Sequence, residues 1–186
     1  MKVIALDMDG VVNSRKKIIE WLDAKKNHFV SLGATAAQAE DKTRKAYIEE
    51  FQDMSELVFP EYATRVSKII DETGAKILWS STWRNIDKYK DLEVAKDMFN
   101  RRGLPGESLI DRTPNFLADF SHSCDRGHEI SYWLREHPEV TKCAVIDDRE
   151  DASYGLPSNA QYFATTWENG LTDDVVDAII KYLKED

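Results

Sequence analysis

The sequence predicts an α/β fold: a mostly parallel sheet flanked by helices. Short β-branched or aromatic runs alternate with helix-like stretches, as in repeated strand–helix units. Acidic or hydroxyl residues follow directly on several of these runs, at the strand ends where open α/β sheets bind ligands. The length, 186 residues, suits one sizeable core with a small insertion.

In chain order, Val3–Leu6 is the first strand. A long helix-like stretch follows. Ile18, Ile19, Trp21 and Leu22 begin one amphipathic segment, Ala36–Phe51 is a second, and Tyr62–Ile70 a third that stops at Thr73-Gly74. One helix suffices for a crossover, so the extra helices read as a small helical cap inserted over approximately residues 15–58. Lys76–Trp79 is the second strand, and Ile86–Asn100 a helix ended by Arg101-Arg102-Gly103. Residues 104–125 contain Pro105, Gly106, Pro114 and several Ser without a clean period, and read as loop with room for one short element. Gly127–Glu136 is a helix before Pro138, Cys143–Ile146 and Gln161–Ala164 are the remaining strands, and Asp173–Leu183 closes the chain. Thr172 stands as N-cap of that last helix, with two Asp in its first turn. No repeat or linker divides residues 1–186, which read as a single domain.

With 25 Lys and Arg against 34 Asp and Glu, the net charge is −9, which argues against a general nucleic-acid-backbone binder but leaves room for a local basic site. Five Trp, seven Tyr and seven Phe exclude disorder as the main state. Cys124 and Cys143 have no ligand spacing, so neither a disulfide framework nor a structural zinc site is expected. Cys143 reads as buried filler and Cys124 as an exposed loop thiol. The N-terminal apolar stretch is broken by Asp7 and Asp9, unlike a signal peptide, and no run approaches the ~18 apolar residues that span a bilayer. The expectation is a soluble, cytoplasmic protein with no membrane partner.

The strongest chemical signal is Asp7-Met8-Asp9-Gly10, directly after the first strand. In an extended chain both Asp point to one side, and Gly10 permits a sharp backbone departure. At ~4 Å and an effective dielectric of ~20 two carboxylates repel by roughly 4 kcal/mol, so the pair needs a cation, a shared proton or separation. Solvated turn residues are the structural alternative. Asp147-Asp148-Arg149-Glu150-Asp151 repeats the pattern after a second buried run. If the two strands are neighbours, Asp7, Asp9 and Asp147 converge, and their oxygens suit Mg²⁺. Ser80-Ser81-Thr82-Trp83-Arg84 places hydroxyls at another strand end, as a phosphate cradle or as helix-capping material. Arg126 opens the helix that leads into the acidic strand, well placed to meet an anion.

These four pieces, in this order, resemble the haloacid dehalogenase (HAD) superfamily of phosphohydrolases. Its motifs are an Asp-x-Asp strand end, a Ser/Thr strand end, a Lys or Arg on a helix, and a paired-acid strand end. The stretches LDMDGVVN, ETGAKILWSSTWR, RGHEISYWLREHPEV, CAVIDDRED and NGLTDDVVDAI are similar to the HAD domain of Swiss-army-knife RNA repair proteins. They cover most of the chain outside the insertion and residues 104–125. Ile146-Asp147-Asp148-Arg149 also resembles the fourth motif of polynucleotide 3′-phosphatase domains and 5′(3′)-deoxyribonucleotidases. Trp79 and Trp83 beside the hydroxyl run, and Thr165-Thr166-Trp167-Glu168 before the closing helix, depart from the pattern.

The resemblance implies a HAD-like, Rossmannoid sheet with a helical cap after the first strand. It implies a Mg²⁺-dependent phosphomonoester hydrolase working through an aspartyl-phosphate, acting on a small phosphorylated substrate such as a nucleotide or on a nucleic acid 3′ end. The alternative is a catalytically weak HAD-fold protein that binds a phosphorylated ligand or partner. Retention of both first-motif Asp speaks against it. By the same resemblance Asp7 is the nucleophile and Asp9 the general acid and base. Mg²⁺ is held by Asp7, the Asp9 carbonyl and Asp147, with support from Asp148 or Asp151. Ser80 holds a phosphoryl oxygen, Ser81 and Thr82 add amide donors, and Arg126 balances charge, with Lys142 in reserve. Arg84 either faces a substrate phosphate or pairs with an acid of the cluster. Trp21 and Trp133 fall at helical spacing and read as core, His128 as a surface histidine, and Trp83 and Trp167 are less periodic and open to substrate stacking.

Overall fold

The computed structural model describes residues 1–50, 57–116 and 125–185, so Cys124 lies outside the described residues. Five strands, β1 (Lys2–Leu6), β2 (Lys76–Trp79), β3 (Leu109–Arg112), β4 (Lys142–Asp147) and β5 (Ala160–Ala164), form one parallel sheet in the order β3-β2-β1-β4-β5. Among the described residues, six helices flank it: α1 (Arg15–Ser31), α2 (Ala36–Glu50), α3 (Pro60–Thr73), α4 (Leu92–Arg101), α5 (Arg126–Glu136) and α6 (Asp173–Lys184). Strand order reverses at β1, which leaves a crevice beyond the C-terminal ends of β1 and β4, where such sheets bind ligands.

Alternation along the strands splits the core into two layers. Ile4, Leu6, Ile77, Trp79, Ala144 and Ile146 face α3, α4 and α6, packing on Val66, Ile69, Met98, Phe99, Val176 and Ile179. Val3, Ala5, Leu78, Cys143 and Val145 face α5, against Ile130, Trp133 and Leu134. Trp79, fully buried, meets Phe99 edge-on at 5.4 Å between ring centroids.

Between β1 and α3 lie α1 and α2. None of α1's residues is buried. It is anchored at its start, where Ser14 caps it by accepting from the Lys17 amide and the Arg15 and Lys16 amides donate to the Trp167 and Glu168 carbonyls. Trp21 on α1 meets Tyr47 on α2 edge-on at 5.8 Å. Among the described residues, no helix is long and apolar enough to cross a membrane.

Two local expectations need correction and a third is made specific. The helix expected over Ile86–Asn100 is broken: Asp87–Tyr89 forms a 3-10 turn, and α4 starts only after Asp91, whose carboxylate accepts from the Glu93 amide at 2.8 Å. The short element within residues 104–125 is the edge strand β3, whose Asp111 and Arg112 hid its character. Thr172 does occupy the N-cap position of α6, but its side chain makes no capping hydrogen bond.

Candidate active site

Strand pairing dictates where the chemistry gathers. Leu6 pairs with Trp79 on one side and Ile146 on the other, so the residues that follow, Asp7, Ser80 and Asp147, emerge side by side. The amides of Asp7 and Ser80 continue the ladder, donating to the Ile146 and Leu6 carbonyls at 3.0 and 2.9 Å. All three are in step with the residues that face α5, whose first residue is Arg126. The Arg126 guanidinium accordingly stands 3.9 Å from Asp7 Oδ1.

Asp7, Asp147 and Asp148 each offer a carboxylate oxygen within 4.8 Å of the others. Asp148 reaches them by passing directly over Gly10, where a Cβ would strike its carboxylate, and Gly10 also takes a left-handed φ of 70°. Asp151 is occupied elsewhere: it pairs with Arg149 at 3.0 Å and accepts from the Arg126 amide. Between the two candidates for support, the structure brings Asp148 and not Asp151 into the cluster. Lys142, the reserve cation, is at the start of β4 and donates to the Tyr182 carbonyl, away from this edge.

The site holds buried polar groups without partners among the described residues. Ser80 Oγ, Arg126 Nη1 and Asp147 Oδ2 are all sealed from solvent and accept or donate no hydrogen bond, Arg126 Nη1 reaching Asp7 only at ion-pair distance. Two of them suit an anion and the third a cation. An all-oxygen carboxylate set with an unmet oxygen fits a hard divalent ion such as Mg²⁺.

Burial sets the electrostatics. It pushes Asp7 up from 3.8 to about 6, against the Arg126 charge, the Met8 amide and the Ser81 hydroxyl, which pull it down. Burial, then the neighbouring Asp7, pushes Asp147 up to about 7, and burial raises Asp148 as well. The folded chain therefore holds protons that the unfolded chain has released, and without metal its stability falls as pH rises from about 4 to about 7. In a chelator, the melting temperature should drop across that window. Mg²⁺ should restore most of the loss at the alkaline end, because it binds the folded carboxylates selectively. A flat melting profile, or no Mg²⁺ effect, would count against a metal cluster.

Arg84 pairs with Glu129 rather than with an acid of the cluster. Its guanidinium is buried, bonded to Glu129 Oε2 at 2.5 Å and to the carbonyls of Ser80, Ser81, Thr113 and Pro114. Ser81 caps the 3-10 turn Thr82–Asn85, accepting from the Trp83 amide, and Thr82 is exposed at its start. Trp83 is buried at 6% exposure, which removes it from substrate stacking, and Trp133 is likewise core. His128 lies on the surface, 3.6 Å from Asp125.

Asn13, which sequence reasoning did not place at the site, and Trp83, for which it offered only substrate stacking, hold Asp9. Asn13 Nδ2 donates to Asp9 Oδ1 and Trp83 Nε1 to Asp9 Oδ2, both at 2.9 Å. Asn13 follows the first motif by a few residues and so could have been found. Trp83 required the fold, since 74 residues separate it from Asp9.

No curated protein and no solved structure matches the chain. A family model does, described as the HAD domain in Swiss Army Knife RNA repair proteins, over residues 3–176. That span includes β1, β2, β4 and α5 and with them every residue of the cluster. A parallel sheet carrying an Asp-x-Asp, a serine, an arginine and a paired-acid strand end in that family's order leaves one conclusion: the chain belongs to the HAD domain family of Swiss Army Knife RNA repair proteins.

Proposed function

We propose that this protein is a Mg²⁺-dependent phosphomonoester hydrolase acting through an aspartyl-phosphate, on a nucleotide or a nucleic acid 3′-phosphate. The observation that carries the reading is the grouping of Asp7 with three buried atoms that have no hydrogen-bond partner among the described residues, Ser80 Oγ, Arg126 Nη1 and Asp147 Oδ2. Membership of a family named for RNA repair supports the substrate class.

In this reading Asp7 attacks phosphorus while the bond to the leaving oxygen breaks. The electron pair stays on that oxygen, which takes a proton from the Asp9 carboxyl. Water then attacks the aspartyl-phosphate, gives its proton to Asp9, and releases inorganic phosphate and Asp7. Ser80 donates to a phosphoryl oxygen, and Arg126 offsets its charge at both steps. Ser81 and Thr82 contribute backbone donors. Bound Mg²⁺, held by Asp7, the Asp9 carbonyl, Asp147 and Asp148, would supply positive charge to carboxylates and phosphate that otherwise repel. Arg84 has a supporting role, tying the cradle's loops together. The α1–α2 pair serves as a cap over the crevice, and residues 1–186 act as one domain around it.

The test is phosphate release from a 3′-phosphorylated oligonucleotide, a deoxynucleoside monophosphate and a sugar phosphate, each with Mg²⁺ or with chelator. Release should depend on Mg²⁺ and favour the first two. Equal, slow rates on all three would remove the nucleic-acid preference, and no release with any divalent ion would remove the activity.

A further inference from the structure

The two side chains that hold Asp9 have a defined chemical consequence. Resting on the phosphatase reading above, we infer that Trp83 and Asn13 are positioning residues that fix the Asp9 carboxyl for proton transfer to the leaving group.

Asp9 shares a crowded edge with Asp7 and Asp148, and its charge acts against both. Left alone, a short side chain with two free torsions would swing toward water, away from that repulsion. Two N–H donors, one on each oxygen, oppose the swing and set the carboxyl plane. They come from different places, Asn13 from the segment after β1 and Trp83 from the turn after β2. Each oxygen keeps a second lone pair, so a proton can still be exchanged with a ligand.

Both donors are immobilised. Asn13 is 1% exposed, its Oδ1 accepts from the Gly10 amide at 3.0 Å, and its Nδ2 also reaches the Leu57 carbonyl at 3.2 Å. Those partners fix which end of the amide faces Asp9. Trp83 is held by its buried ring and by the adjoining Arg84, which ties the same turn to four carbonyls. The fold does not require every buried indole N–H to be satisfied. Trp79 Nε1, four residues earlier, is buried with no hydrogen-bond partner among the described residues, and the fold accommodates it.

Trp83→Phe removes the N–H and keeps a ring in place. The comparison is kcat/KM, which reports steps through departure of the leaving group, for an alkyl ester such as a nucleoside 3′-monophosphate and for p-nitrophenyl phosphate. An alkoxide needs the proton and a nitrophenolate does not. General acid catalysis contributes about 10²–10⁴-fold, so partial misplacement should cost roughly ten- to a hundredfold on the alkyl ester and several-fold less on the aryl ester. Asn13→Ala should give the same asymmetry if Trp83→Phe fails to fold. In an Asp9→Ala background, Trp83→Phe should add nothing, because its effect runs through Asp9. Equal losses on both esters in a folded variant, or additive losses in the double variant, would overturn the assignment and leave the phosphatase reading intact. A wild-type protein that cleaves neither ester would overturn both.

Discussion

Asp7→Asn should reduce phosphate release to a trace, a loss of roughly 10³-fold or more, because the neutral amide is too weak a nucleophile to form the acyl phosphate. The same substitution should leave the fold intact or stabilise it. The Asp7 backbone bond to Ile146 survives, and what disappears is a carboxyl that burial has already pushed up to about 6. Two measurements on one variant therefore move in opposite directions: turnover collapses, and the metal-free melting temperature at neutral to alkaline pH stays level or rises. Added Mg²⁺ should also protect the variant less, since one oxygen of the three-carboxylate cluster is gone. Retention of substantial Mg²⁺-dependent activity would remove Asp7 as nucleophile. Loss of activity together with loss of fold would make it a structural residue.

The second large effect concerns stability. Arg84→Met leaves Glu129, with its side chain 4% exposed, as a buried charge without its partner. Breaking such a pair by deleting one member costs about 3–5 kcal/mol, far more than the pair contributes relative to an apolar replacement. Four carbonyls lose a side-chain donor at the same time, the Ser81 carbonyl keeping the backbone amide of residue 84. A denaturant midpoint should record the loss. Arg84→Met combined with Glu129→Gln should recover part of it, because the neutral amide can stay buried and can still accept from the Phe116 amide as Glu129 Oε1 does now. Retained stability in the single variant would mean that water replaces the guanidinium. Activity should fall as well, since Arg84 joins the loops of Ser80 and Thr113 to α5, the helix that carries Arg126.

Much of this was legible in the sequence because it depends on short-range pattern. Four strands announce themselves as β-branched or aromatic runs, and the residues that end or directly follow the three buried ones, Asp7, Ser80 and Asp147, define the site. The edge strand β3 was not legible, since Leu109-Ile110-Asp111-Arg112 has too few apolar positions to stand out from its loop. The break before α4 turns on one Asp91 carboxylate competing with the helix, a choice that periodicity does not record. Arg84 was singled out as a cation for a substrate phosphate or for an acid of the cluster. Its partners, Glu129 and carbonyls from two loops, are brought to it only by tertiary packing. Asp148 and Asp151 have the same chemistry, and what separates them is that Gly10 leaves space for one while Arg149 engages the other.

The shared alternation of Asp7, Ser80 and Asp147 has a consequence for sequence change. Because side chains switch faces at every residue, deleting or inserting one residue within β1, β2 or β4 would turn that strand's reactive group away from α5. The same edit in the turns that enter these strands, such as Thr73–Ala75 before β2, shifts no register once the strand has paired. The site is therefore brittle to length variation inside three short strands and tolerant of it around them. A library that varies loop lengths while holding those strands fixed should change what the protein binds long before it changes what it can do.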